Sequence, residues 1–273
     1  METWEFLAAP FAAGLILTGI HAYLGLHVVE RGVIFVDLAL AQIAALGTVV
    51  GFLAGTELHG GGAYWWSLGF TFVGAGLFSL TRMRRSRIPH EAIIGIVYAV
   101  SAAASIAAMS RAPEGAEHLK DMLVGNILVV SWGEVGRTAL LYGVVGLFHW
   151  VFRKQFLMIS VDAERARREG LSVRLWDFLF YVSFGVVVTS SVAIAGVLLV
   201  FSYLIVPSVC GMLFAERVGP RLILGWSMGA GVSAAGVLLS YALDLPTGAA
   251  IVCTFGGALL IAAGVKIVLS GKS

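Results

Sequence analysis

Three groups of polar residues interrupt an otherwise apolar chain, and each has a type and spacing that suggests chemistry. The first is Asp37, a few residues into a long hydrophobic run. A charged side chain at mid-helix in a membrane costs about 2.5–3.5 kcal/mol, so its presence invites a functional reading. At about 1.5 Å rise per residue it lies roughly 7 Å above the start of that run. Two roles fit: a near-interface carboxylate satisfied by Arg31 or a backbone group, or a metal ligand on a cation pathway. Gln42 lies deeper on the same helix, but the two faces are roughly 140° apart. They cannot chelate one ion from a single face, and Gln42 also suits an interhelical hydrogen bond. The second group, His90-Glu91, opens a later run just after Pro89. Both residues are candidates for a substrate pathway, although the helix dipole alone favours an acid at that position.

The third group is the longest polar stretch, residues 153–175, where Arg153, Lys154, Arg165, Arg167, Arg168 and Arg174 face only Asp162, Glu164 and Glu169. A loop of this size, able to form a short helix, is a handle that a membrane protein can present to a soluble partner. Other residues carry less. His21 and His27 fall on different faces of the first run, and His149 sits near the end of another, so all three read as structural. Cys210 and Cys253 lie inside apolar runs and behave as small hydrophobes, not as a disulfide or a CxxC site. Gly271-Lys272-Ser273 imitates the end of a phosphate loop, but that pattern needs glycine where Lys266 stands and a helix to follow. With no nucleotide-binding or hydrolytic motif, the chain is expected to be no enzyme and to bind no cofactor.

The elements that must position these residues follow from composition. The chain is 59% hydrophobic and 12% charged, with a mean hydropathy of +0.93. A soluble domain carries about a quarter charged residues. The 34 glycines suit transmembrane helices that pack closely through small side chains. The class is an all-α, polytopic integral membrane helical bundle in contact with lipid. A net charge of +2 gives no sign of a nucleic-acid partner. No basic region opens the N-terminus, so the first span is expected to be retained. With no long polar stretch, residues 1–273 are expected to form a single transmembrane domain.

A span needs roughly 20 apolar residues. Runs of that order occur at about 5–29, 33–55, 63–81, 91–110, 135–152, 176–194, 195–215, 221–242 and 247–268. The stretch 175–215 is read as two spans with a tight turn near Ala193–Gly196; a re-entrant second half would leave eight spans. Pro207 should kink or break the second of the pair. Basic residues at 82–90 and 153–175, together with Lys266 and Lys272, fall on one side of a nine-span arrangement. The weakly charged connections 56–62 and 111–125 and Asp244 fall on the other. The positive-inside rule then puts the N-terminus outside and the C-terminus in the cytoplasm of an inner or plasma membrane.

At 175–251 the residues become specific. AGVLLVFSYLIVPSVCGML followed by LLSYALDLPTGAAIVC resembles the permease subunit of the zinc/manganese/iron ABC importer family, with Tyr241, Asp244, Leu245, Pro246 and Gly248 in its turn motif. Upstream, HEAIIGIVYAVSAA at 90–103 and GNILVVSWGEV at 125–135 are similar to other family segments, and DAERARREGLSV at 162–173 resembles its cytoplasmic Asp-x-Glu-x-Ala-x-x-x-Gly segment. The resemblance implies a homodimeric permease moving a divalent metal ion or metal chelate inward. It implies two ATP-binding subunits, with ATP and magnesium bound there, and an extracytoplasmic solute-binding protein. It also implies a coupling helix within about 160–173, where Asp162 would start the helix, Glu164, Arg165 and Arg168 would make ionic contacts, Ala166 would allow close approach and Gly170 would end it.

One departure bears on cargo. The family's second span usually carries Asp-Ala-Leu-Ser-His, an acid and a histidine on one face. Here Gln42 takes the histidine's place, Leu38 the acid's, and Asp37 is displaced onto another face. Loss of imidazole weakens the case for zinc and leaves manganese, iron or a chelate. The competing reading is an ion-coupled secondary transporter, which would need ionisable residues near the midplane. Asp37 stands near an end, which counts against it.

Overall fold

A computed structural model of the chain describes residues 2–57, 60–82, 88–110, 125 and 127–270. The nine apolar runs become nine helices of 18 residues or more: α1 (Glu2–Glu30), α2 (Val36–Leu53), α3 (Gly61–Thr81), α4 (His90–Met109), α5 (Trp132–Val151), α8 (Val173–Ala195), α9 (Val197–Phe214), α10 (Val218–Leu243) and α11 (Thr247–Ser270). Two short helices, α6 (Arg153–Val161) and α7 (Ala163–Arg168), fill the basic stretch. No strand occurs among the described residues. This is what a low-dielectric surrounding demands, because a helix satisfies its own backbone groups internally. Seven of the long helices are long and apolar enough to cross a membrane on their own, and α5 with the bent α6 makes an eighth. α3, with 21 residues and with Tyr64, Trp65 and Trp66 in its first turns, is not among these. The arginines at 84, 85 and 87, the connection 111–124 and the GKS tail lie outside the described residues.

The chain divides into two compact units. The first gathers residues 1–29, 124–143 and 194–273. There α9, α10 and α11 pack against one another, and a 3-10 turn at Ile127–Val129 rests on α11. Hydrogen bonds link α1 to its neighbours: Ser208 Oγ donates to the Ala22 carbonyl at 3.1 Å, and Trp226 Nε1 to the Gly19 carbonyl at 3.0 Å. Pro207 does not break α9, which runs through it to Phe214; its carbonyl instead lies close against Gly225 of α10. The Gly225-x-x-x-Gly229 spacing thus serves packing, as a small-residue stripe should.

The second unit gathers residues 30–123 and 144–193. Here α2 packs on α3 and α4, and α6 on α7. Thr71 on α3 and Thr189 on α8 share a hydrogen bond of 3.1 Å. His149 bonds Ser183 at 2.8 Å and stacks on Phe156 at 4.2 Å, a structural role in keeping with its burial.

Gly196 is the single residue separating α8 from α9, and its φ of +75° is open to glycine but costly for other residues. The turn expected near Ala193–Gly196 is therefore present, and it holds the 175–215 run apart as two helices. Gly125 lies against the backbone of Ala195 and Gly196 so closely that a Cβ there would collide with both. Replacing Gly196 with alanine should cost about 1–3 kcal/mol of backbone strain. Thermal unfolding of the purified protein in detergent is expected to show lowered midpoints for Gly196→Ala and Gly125→Ala. Gly264→Ala, at a helical position with open space around it, should be neutral.

Candidate functional site

All the candidate site residues belong to the second unit. The basic stretch begins where α5 ends at Val151 and α6 departs at 75°. An aromatic cluster secures the elbow. Phe156 of α6 lies edge-on to Trp176 at 5.3 Å and tilted against Phe180 at 6.3 Å, both on α8. Asp162 then breaks the helix and caps the next one. Its Oδ1 accepts the Arg165 backbone N–H at 2.9 Å, the role expected of an N-cap aspartate. At the other end Gly170 has φ +84°, its N–H reaches the Arg167 carbonyl at 3.0 Å, and Leu171 N–H reaches the Ala166 carbonyl at 2.9 Å. This paired arrangement is the Schellman C-cap. Leu171 completes it by packing on the cluster of Ile159, Ala166 and Val173.

The helix starts and stops where its sequence predicts, but two of its residues differ from expectation. Ala166 is fully buried beneath α7, so its small size lets the helix sit close to its own protein and does not face a partner. Arg165 is paired with Glu169 at 2.8 Å, and Arg167 is paired with Glu164. Arg168 is exposed and makes no ion pair among the described residues.

Beneath the elbow lies a charge cluster. Asp177, in the first turns of α8, has a side chain 1% exposed, and its Oδ1 accepts from Arg31 Nη1 at 2.6 Å and from Arg82 Nη1 at 2.7 Å. Arg31 is completely buried, donates through Nε to Ser160 Oγ at 2.8 Å, and lies 3.9 Å over the Phe180 ring. Burial lowers the Arg31 pKa and the Asp177 carboxylate opposes that shift. The guanidinium is so strong a base to begin with that it stays charged. One carboxylate therefore joins the α1–α2 connection, through Arg31 just after Glu30, to the residue after α3 and to α8, while Ser160 adds α6.

Asp37 stands apart from this cluster. Arg31 is bonded to Asp177 and not to Asp37, so the proposed satisfaction of Asp37 by Arg31 does not hold. Asp37 is fully buried, and neither of its oxygens has a hydrogen-bond partner among the described residues. Gln42 is also buried on α2. Glu91 Oε1 accepts the Phe35 N–H at 2.8 Å, taking up an orphan donor at the start of α2, and its Oε2 is buried without a partner among the described residues. Glu91 is thereby bonded to Phe35, which precedes Asp37 by two residues in sequence. His90 turns elsewhere: it shares a 3.2 Å hydrogen bond with Thr81 and meets Phe78 and Tyr181 edge-on. No group of three His, Cys, Asp or Glu residues able to hold a metal occurs among the described residues.

Over residues 3–266 the chain matches the ABC 3 transport family. It belongs to that family. Among relatives, it is 28% identical over 249 residues to the "probable iron transport system membrane protein" of Haemophilus influenzae, covering 91% of this chain and 89% of that protein. It is 25% identical over 252 residues to the manganese transport system membrane protein MntC of Listeria monocytogenes, covering 91% and 86% respectively. Its fold is that of PsaBC from Streptococcus pneumoniae, solved in complex with Fab, with a TM-score of 0.76 at 24% identity over 94% of this chain and 90% of that one. The resemblance read from the residues of 90–103, 125–135 and 162–251 therefore holds for an ABC 3 member, a multi-pass membrane protein.

Sequence reasoning missed Asp177 in this ABC 3 chain, singling out only Asp37 and Glu91 among the acids of the apolar runs. A signal was available: an acid at the second position of the apolar run 176–194, on the same expected side as the arginines of two other connections. Removing it would leave Arg31 charged and buried without its partner. Asp177→Ala is expected to destabilise the second unit by about 3–5 kcal/mol, seen as early thermal unfolding in detergent. Asp177→Asn should lose less, because its carboxamide oxygen still accepts.

Proposed function

We infer that this chain is the membrane-spanning permease subunit of an ATP-driven importer that carries a divalent metal ion, or a metal chelate, into the cytoplasm. The observation that carries this reading is the capped helix α7, held at the tip of a bent elbow in a chain that matches its family over nearly its whole length. A passive membrane protein has no use for a self-capped charged helix fixed to its transmembrane helices. A driven one needs such a seat for its motor.

In this reading two ATP-binding subunits grip α7 from the cytoplasm, with ATP and magnesium bound in them and not in this chain. The permease is a homodimer, and an extracytoplasmic binding protein delivers the cargo. The basic elbow is cytoplasmic, so the N-terminus lies outside and the C-terminus inside. Exposed Glu164, Arg165 and Arg168 make the ionic contacts, and Asp162 and Gly170 supply the caps. On the cargo side the candidates are Asp37, in the first turn of α2, and Glu91, which accepts the Phe35 N–H there, with Gln42 and His90 as outer candidates for the pathway. An oxygen-rich, imidazole-poor set favours manganese, iron or a chelate over zinc. The named relatives, an iron and a manganese system protein, point the same way.

Two measurements test this reading. Deleting 164–168, or substituting Gly170→Arg, should abolish co-purification with the ATPase while the permease still inserts; normal co-purification would remove α7 as the docking element. In proteoliposomes holding the full transporter, manganese uptake should depend on ATP and fall about tenfold or more in Asp37→Ala. Uptake that persists without ATP would favour a secondary transporter. Unchanged uptake in both Asp37→Ala and Gln42→Ala would remove α2 as the selectivity element.

A further inference from the structure

The Asp177 cluster is not used by cargo binding or by ATPase docking as described above, yet its bonds reach the elements next to both. Ser160 belongs to α6, which packs directly on α7. Through Ser160 Oγ the elbow is bonded to Arg31, five residues before Val36 opens α2. Through Asp177 Oδ1, Arg31 is bonded in turn to Arg82, the C-cap residue of α3. Each link is short, and the Arg31 and Asp177 side chains are shielded from water, where charge-assisted hydrogen bonds are strong and resist stretching.

Resting on the importer reading, we propose that Asp177 is a positioning residue: with Arg31 and Ser160 it forms the joint that converts displacement of the α6–α7 elbow into displacement of the start of α2 and the end of α3. The start of α2 is where Asp37 lies and where Glu91 takes up the Phe35 N–H. A shift of the elbow therefore acts on the candidate cargo residues through three hydrogen-bonded side chains. The aromatic cluster of Phe156, Trp176 and Phe180 fixes the elbow to α8, so that elbow and Asp177 move together. Arg31 and Arg82 are the parts that must follow.

The test is amide hydrogen exchange on the full permease–ATPase complex, with and without ATP, comparing wild type with Ser160→Ala and Asp177→Asn. Ser160→Ala is the milder change and guards against a variant that misfolds. In wild type, ATP should alter exchange both over 163–170 and over 35–40. In the variants the response over 163–170 should persist, while that over 35–40 shrinks by about threefold or more. A response over 35–40 that stays at wild-type size in both variants would overturn the proposal, as would loss of both responses together, because the cluster would then only hold the fold. A wild-type permease that binds no ATPase and shows no response over 163–170 would refute the importer reading, and the joint with it.

Discussion

A buried carboxylate has to find its counter-charge inside the protein, and Asp177 finds two. Arg31 and Arg82 both donate to the same oxygen, and around that point four parts of the second unit converge: the entry to α2, the exit from α3, the elbow helix α6 and the first turns of α8. Taking these groups out of water costs several kcal/mol per ion, so such a cluster is a weak source of stability. What it provides is registry. Once Asp177 is in place, the ends of α2 and α3 cannot slide relative to α8 without stranding a charge.

Elsewhere the polar groups are managed quietly. Thr18, Thr71, Ser105, Ser208 and Ser233 each donate to the carbonyl four residues earlier in their own helix, so their hydroxyls are satisfied without a neighbour. A few then add a second bond across helices, as Tyr203 to Ser233 at 2.8 Å and Thr71 to Thr189 at 3.1 Å. Such bonds orient helices that gain little from burying apolar surface in lipid. The ionic cluster differs because its charged groups, Arg31, Arg82 and Asp177, find their partners on other elements.

This difference explains what could be read from the sequence. The nine helices, the break at Gly196 and the ends of α7 all depend on residues close together in the chain: apolar runs, a glycine at positive φ, an aspartate cap and a glycine stop. Each is a local instruction, and each was legible. Asp177 and Arg31 are 146 residues apart, and no local pattern joins them. The reading that gave Arg31 to Asp37 chose an acid on the next helix in sequence over the one packed against Arg31 in space. Ala166 was likewise given an outward role because its small size is local information, whereas the side of α7 that faces inward is decided by Ile159 and Val173. Pro207 leaves α9 unbroken, since losing one N–H donor is tolerable where neighbouring helices pack closely.

The caps on α7 have a consequence for assembly. Helices of six residues are unstable alone, because nucleation fixes several residues for a single hydrogen bond. Here the aspartate cap, the glycine stop and the apolar footing beneath Ala166 order the backbone before any partner arrives. Whatever seats itself on this helix meets a rigid peg, and association need not await its folding. The entropy of shaping the contact is settled during the chain's own folding, so recognition rests on the charged side chains at the surface of the peg. Those side chains can drift in evolution, and with them the choice of partner, while the peg keeps its form.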